Sequence, residues 1–168
     1  MSQLSLSLDT PLMVRDGRGR YRPADADQIL EAARQVIEQK MQRGEAFTSP
    51  AAVKDYLRAK LAGFEHEVFA VLFLDTQHRL IEYAEMFRGT IDSAEVHPRE
   101  VVKAALRHNA AAVIISHNHP SGNPEPSGAD NVLTKRLKEA LALVDVRMLD
   151  HIIVAGGSTT SFAECGLI

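Results

Sequence analysis

Two short apolar runs constrain this chain more than any other feature. Val68 to Leu74 is apolar throughout, and Ala111 to Ile115 is apolar before the run closes on Ser116. Neither shows the alternation of a strand that turns one face to water. Both fall far short of the roughly 20 apolar residues of a membrane-spanning helix. A short run with no polar side reads as a strand buried on both faces. Burying both faces requires helices packed against a sheet.

The rest of the sequence supplies those helices. Asp25 or Asp27 can cap one in which Ile29, Ala33, Val36, Ile37 and Met41 recur at helical spacing, with Gly44 as its end. Ser49 and Pro50 fit the N-cap and first position of a second, with Val53, Leu57 and Leu61 on one face and Gly63 after it. Asp75-Thr76-Gln77-His78 turns the chain into a returning strand over Leu80 to Met86, and Thr90-Ile91 begins a further extended piece. His97-Pro98 starts a helix with Val101, Val102, Ala105 and Leu106 inward. Ser127 starts another with Leu133, Leu137, Ala140 and Leu141 inward. Val146 to Leu149 and His151 to Val154 read as two final strands. This alternation predicts an α/β fold: a mixed β-sheet flanked by helices. Residues 1–24 read as an irregular, flexible N-terminal arm, residues 25–62 as a helical appendage without evident chemistry, and residues 63–168 as the main domain.

Composition narrows the function classes. The chain has 168 residues, enough for one domain with a short appendage. Cys165 is the only cysteine, so no internal disulfide can form; with no secretory pattern at the N-terminus, the expected location is cytoplasmic. No membrane span is expected. The net charge of -3 argues against a broadly basic nucleic-acid surface. The local exception is Arg15 to Arg22, where four arginines alternate with glycines, Asp16 and Tyr21.

The chemistry concentrates between His117 and Asp130. Residues two apart on a strand share a face, so the end of the Ala111–Ser116 strand aims the imidazoles of His117 and His119 the same way and Asn118 the opposite way. Pro120 ends ladder pairing, and a loop rich in proline and glycine returns the chain to Ser127. A helix starting there carries Asp130 in its first turn. Two imidazoles and a carboxylate leave four-coordinate zinc one position for water, which is the catalytic pattern. Ser127-x-x-Asp130 equally suits a plain helix N-terminus, with serine as N-cap and an acidic first turn.

These residues resemble a known family. His-x-His, seven residues, Ser, two residues, Asp resembles the signature of the JAMM (MPN+) metalloprotease domain. The flanking sequence resembles its RadC-type branch: His97-Pro98-Arg99-Glu100, Asn109 to Ala112, His117 to Gly122, Pro126-Ser127 and Asp150 to Val154. The likeness runs from about Thr48 to the C-terminus. It lacks the helix-hairpin-helix module of some relatives, so the chain looks like a short form. The resemblance implies a curved mixed sheet flanked by helices, the cytidine-deaminase-like sandwich, over residues 63–168. It implies one zinc ion held by His117, His119 and Asp130, and Ser127 as donor to the oxyanion. It also implies a glutamate at the start of a core strand as general base, for which Glu67 is the best match and Glu65 the fallback. The implied reaction is hydrolysis of a peptide or isopeptide bond in a peptide or protein substrate. Two alternatives stay open: a DNA-associated metal-dependent enzyme, and a non-catalytic interaction module. Arg99 and Glu100 read as a helix start, Asp150 and His151 as polar groups that either back the ligands or serve structure, with structure favoured for all four, and His66, His78, His97 and His108 as surface or packing residues.

Overall fold

A computed structural model of the chain describes residues 12–40, 47, 49–89 and 95–168. The elements run β1 (Met13–Arg15), β2 (Tyr21–Pro23), α1 (Ala26–Lys40), α2 (Pro50–Leu61), β3 (Val68–Leu74), β4 (Leu80–Arg88), α3 (Pro98–Arg107), β5 (Ala112–Asn118), α4 (Gly128–Ala142), β6 (Arg147–Ala155) and β7 (Ser158–Ser161). Strands β3 to β7 form one sheet in the order β4-β3-β5-β6-β7. Only the β5–β6 pair is parallel. The fold is the expected mixed α/β one.

The two apolar runs explain the layering. All seven residues of β3 and all seven of β5 are buried. Ala70, Leu72, Ala112 and Ile114 point to one face, where Val53, Tyr56, Leu57 and Leu61 of α2 cover them. Phe69, Val71, Phe73, Val113 and Ile115 point to the other, against Val101 and Ala105 of α3 and Leu137 and Leu141 of α4. Helix α2 begins as expected, with the Ser49 hydroxyl accepting from the Ala52 N–H at 3.2 Å and Pro50 at its first position. It lies directly on the sheet. Helix α1 packs against α2.

The structure corrects four local readings. Residues 13–23 are not irregular: they form a β-hairpin whose turn is held by Asp16, its Oδ1 accepting from the N–H groups of Arg18 and Arg20 at 2.9 Å each. The two final strand candidates are one strand, β6; Asp150 sits within it because its carboxylate accepts from His151 N–H, Ala163 N–H and Ser161 Oγ–H. Strand β7, Ser-Thr-Thr-Ser, has no apolar signal and was not expected. Leu106 is 55% exposed, and Ala104 joins Val101 and Ala105 on the buried face of α3 instead. The expectations for Met41, Gly44, Thr90 and Ile91 lie outside the described residues. Among the described residues no helix is long and apolar enough to cross a membrane.

Candidate metal centre

Strand β5 ends where its side chains turn polar, and the end of the sheet becomes a site. His117 sits on the α3/α4 face of β5, paired in register with Phe69 of β3. His119 lies just past the strand, its N–H donating to the Val154 carbonyl of β6 at 2.8 Å. Between them, Asn118 points to the opposite face, as the two-residue period requires. There its Oδ1 accepts the Val68 N–H at 2.7 Å and its Nδ2 donates to the His66 carbonyl at 3.0 Å.

Asp130 arrives from α4. Ser127 is the N-cap, and the pair forms a reciprocal capping box. The Ser127 hydroxyl accepts the Asp130 N–H at 3.1 Å and donates to Asp130 Oδ2 at 2.6 Å; the Ser127 N–H donates to the same oxygen at 2.7 Å. Ser127 is thus both the helix cap and an anchor for the carboxylate. The plain-cap reading and the site reading describe the same residues.

The three side chains converge. His117 Nε2 lies 3.2 Å from Asp130 Oδ1, His119 Nε2 lies 3.6 Å from Asp130 Oδ2, and the two Nε2 atoms are 2.9 Å apart. One ligand atom from each lies within 4.8 Å of the others, close enough to hold one metal ion. The far sides of the rings are occupied: His119 Nδ1 donates to the Asn123 carbonyl at 2.7 Å, and His117 Nδ1 meets His151 Nε2 at 2.8 Å. Two inward nitrogens facing a carboxylate demand positive charge between them, supplied by a proton or a cation. The donor set suits zinc and other divalent ions that accept imidazole and carboxylate.

The electrostatics follow from this crowding. Burial works to raise the Asp130 carboxyl, but the facing imidazoles of His117 and His119 and the Ser127 hydroxyl outweigh it and hold the group far below the usual carboxylate range. The hydrogen bond to Asp130 raises His119 against the opposing effect of burial, with help from the Asn123 carbonyl and the charges of Asp130 and Glu67. Burial pushes His151 well below the ordinary imidazole value, and the His117 charge adds to this.

Glu67 is half-buried immediately before β3. The β3–β5 pairing ends at Phe69 and His117, two residues short of Glu67 on one strand and of His119 on the other. The influence of the Glu67 charge on His119 agrees with this placement. Glu65 is exposed and lines a cavity of about 280 Å³ with Phe64, Asn118, His119, Pro120 and Val154. Three of the remaining histidines make ring contacts, His66 with Phe64, His97 with Phe87 and His108 stacked on Phe73, and His78 sits in the turn between β3 and β4 with φ of 58°.

Sequence reasoning missed the contacts that His151, Thr134 and the Asn118 amide make around the site. His151 reaches His117 from 34 positions away on a neighbouring strand, and no spacing rule connects them. The polar face of Asn118 was legible, but its partners were not.

The sheet, the His-x-His strand end and the aspartate of the following helix together define a JAB/MPN-type domain with a candidate metal centre. The family model of the RadC-like JAB domain matches residues 47–167, and the chain belongs to that family. It is 62% identical over 138 residues to a UPF0758 protein of Vibrio cholerae, covering 82% of this chain and 87% of that one. It is 59% identical over 152 residues to a UPF0758 protein of Methylibium petroleiphilum, covering 90% of this chain and 68% of that one. A UPF0758 protein of Nitrosococcus oceani is 55% identical over 152 residues, with the same 90% and 68% coverage.

Proposed function

We propose that the protein is a zinc-dependent hydrolase that cleaves an amide, in a peptide or isopeptide linkage. The observation carrying this reading is the convergence of His117 Nε2, His119 Nε2 and the Asp130 carboxylate. His117, His119 and Asp130 would hold a zinc ion, which would supply a Lewis acid that lowers the pKa of water toward about 7 and polarises a carbonyl. Glu67 accepts the proton of the attacking water and passes it to the leaving amine. To serve the developing oxyanion, Ser127 gives up the hydrogen bond it donates to Asp130 Oδ2 and redirects its one hydroxyl hydrogen. A cavity lined by His119, Pro120 and Glu65 adjoins the site and offers room for part of a substrate. A single cysteine, exposed and unpaired, suits a cytoplasmic setting.

Elemental analysis of native protein beside His119→Ala and Asp130→Ala tests the metal. Zinc in native protein and its loss from both variants is the expected result. Native protein that stays metal-free after zinc loading would overturn the reading and leave a non-catalytic interaction module. For the base, Glu67→Gln keeps zinc and loses turnover against a peptide library; full activity in that variant would transfer the role to Glu65 or elsewhere.

One observation favours a second reading. The β1–β2 hairpin exposes Arg15, Arg18, Arg20, Arg22 and Tyr21 together, a combination suited to a nucleic-acid backbone and base stacking. Binding of single-stranded DNA that weakens steeply with salt, and is lost in an Arg18→Ala, Arg22→Ala double variant, would support a DNA-associated metal-dependent enzyme.

A further inference from the structure

Behind His117 lies a chain of buried hydrogen bonds that begins and ends on metal-site residues. His151 sits within β6 with none of its surface exposed. Its ring stacks on Phe162 with centroids 4.5 Å apart and meets Phe69 edge-on at 6.3 Å. Its two nitrogens have different partners: Nε2 is 2.8 Å from His117 Nδ1, and Nδ1 is 2.6 Å from Thr134 Oγ1. Thr134, buried on α4, lies 2.6 Å from the backbone carbonyl of Asp130.

The hydrogens can be placed from the far end. The Asp130 carbonyl only accepts, so the single Thr134 hydroxyl hydrogen goes to it. Thr134 Oγ1 then has nothing to donate to His151 and must accept, which puts a hydrogen on His151 Nδ1. A second hydrogen on His151 would create an imidazolium between two phenylalanine rings, which is costly without a carboxylate against it. His151 Nε2 is therefore a bare acceptor and takes the hydrogen of His117 Nδ1. In neutral His117 this leaves Nε2 as the lone pair, 3.2 Å from Asp130 Oδ1 and 2.9 Å from His119 Nε2, so without a cation the hydrogen these facing atoms need is the one on His119 Nε2. In a neutral imidazole the hydrogen bond at one nitrogen fixes which nitrogen is free for a metal.

We propose that Thr134 and His151 form a tautomer lock: the relay from His117 through His151 and Thr134 to the Asp130 carbonyl presets His117 Nε2 as a metal ligand. Both are positioning residues. The lock rests on the metal-site reading above, but the tautomer it imposes exists in the metal-free chain and is measurable there. Thr134 also couples the two halves of the site. The residue that fixes the histidine tautomer hangs from the backbone of the residue that supplies the carboxylate.

The test uses the full chain and two measurements. Long-range proton–nitrogen NMR of the histidine rings, on metal-free protein at a pH above the imidazole range, reads the tautomer of His117. Competition against a chromophoric chelator reads zinc affinity. Native protein shows His117 protonated on Nδ1. Thr134→Val removes the acceptor, so His151 carries its hydrogen on Nε2 and drives His117 to the Nε2–H form; zinc affinity falls roughly 10- to 100-fold. Thr134→Ser restores both readings. His151→Phe, which fits the slot between Phe69 and Phe162, strips the relay of nitrogen and weakens zinc by a similar factor. A merely structural role would lower thermal stability in these variants without changing the His117 tautomer. An Nε2–H tautomer in native protein overturns the lock, even if Thr134→Val does not fold. So does Thr134→Val that keeps the Nδ1–H tautomer and native zinc affinity. Native protein that binds no zinc but shows the Nδ1–H tautomer and its loss in Thr134→Val would sink the hydrolase reading while leaving the lock in place.

Discussion

Asn118 grips the backbone on both sides of Glu67, accepting from the Val68 N–H at 2.7 Å and donating to the His66 carbonyl at 3.0 Å. The residue between the two histidines thereby fixes the approach of the strand that carries the proposed base. Asn118→Ala leaves the buried Val68 N–H unpaired, at a cost of about 1–3 kcal/mol. Urea denaturation is expected to show that loss. Turnover is expected to fall further than zinc content, because the ligands survive while Glu67 loses its clamp. Asn118→Asp keeps the acceptor for Val68 and is expected to be milder. Zinc and turnover falling in parallel would mean that Asn118 supports the histidines rather than Glu67.

Metal removal is expected to lower the melting temperature. A ligand that binds only the folded chain, at a free concentration of 100 times its dissociation constant, adds about 2.7 kcal/mol. Native protein melted with zinc and then with excess chelator should show this difference, and Asp130→Ala should melt alike in both. An equal response to zinc in Asp130→Ala would place the stabilising ion elsewhere.

The two helices on the metal face offer a paired test of the core. Leu137 on α4 is fully buried, whereas Leu106 on α3 is 55% exposed. Leu137→Ala is expected to cost about 2–5 kcal/mol through lost burial and the cavity left behind. Leu106→Ser is expected to change stability by no more than about 0.5 kcal/mol. Chemical denaturation of the two side by side checks both.

Much of this was legible because burial leaves a direct mark on sequence. The seven apolar residues of β3 had no other plausible fate than a strand covered on both sides, and the polar end of β5 marked where the sheet opens. The spacing from His117 to Asp130 brought the ligands together because strand and helix periods are local rules. What stayed hidden was held by specific polar bonds. Asp150 looked like a break in β6 because its three donors come from His151, Ser161 and Ala163, two of them across a turn. The Arg15–Arg22 segment looked irregular because Asp16, rather than an apolar face, organises its hairpin. The contacts of His151 stayed hidden because its partners lie on β5 and α4.

Asp145 offers a stabilising change. It follows the end of α4 with φ of 59°, in the left-handed region, and is exposed. A side chain there is strained, and its negative charge sits near the negative end of the helix dipole. Asp145→Gly is expected to raise stability by about 0.5–1 kcal/mol. A lower melting temperature would indicate that the carboxylate makes a compensating contact.

The segment between His119 and Asp130 carries Pro120, Pro124 and Pro126, and is stitched by bonds from Gly122 N–H to the His119 carbonyl, from Glu125 N–H to Asn123 Oδ1 and from Ser127 N–H to Asp130. Its conformational freedom is spent when the chain folds, before any ion arrives. A metal held by His117, His119 and Asp130 would therefore demand little further ordering of this segment. An ion that needs a larger or more yielding coordination sphere would gain nothing from a segment ordered in advance, so the loop would discriminate among cations without touching them.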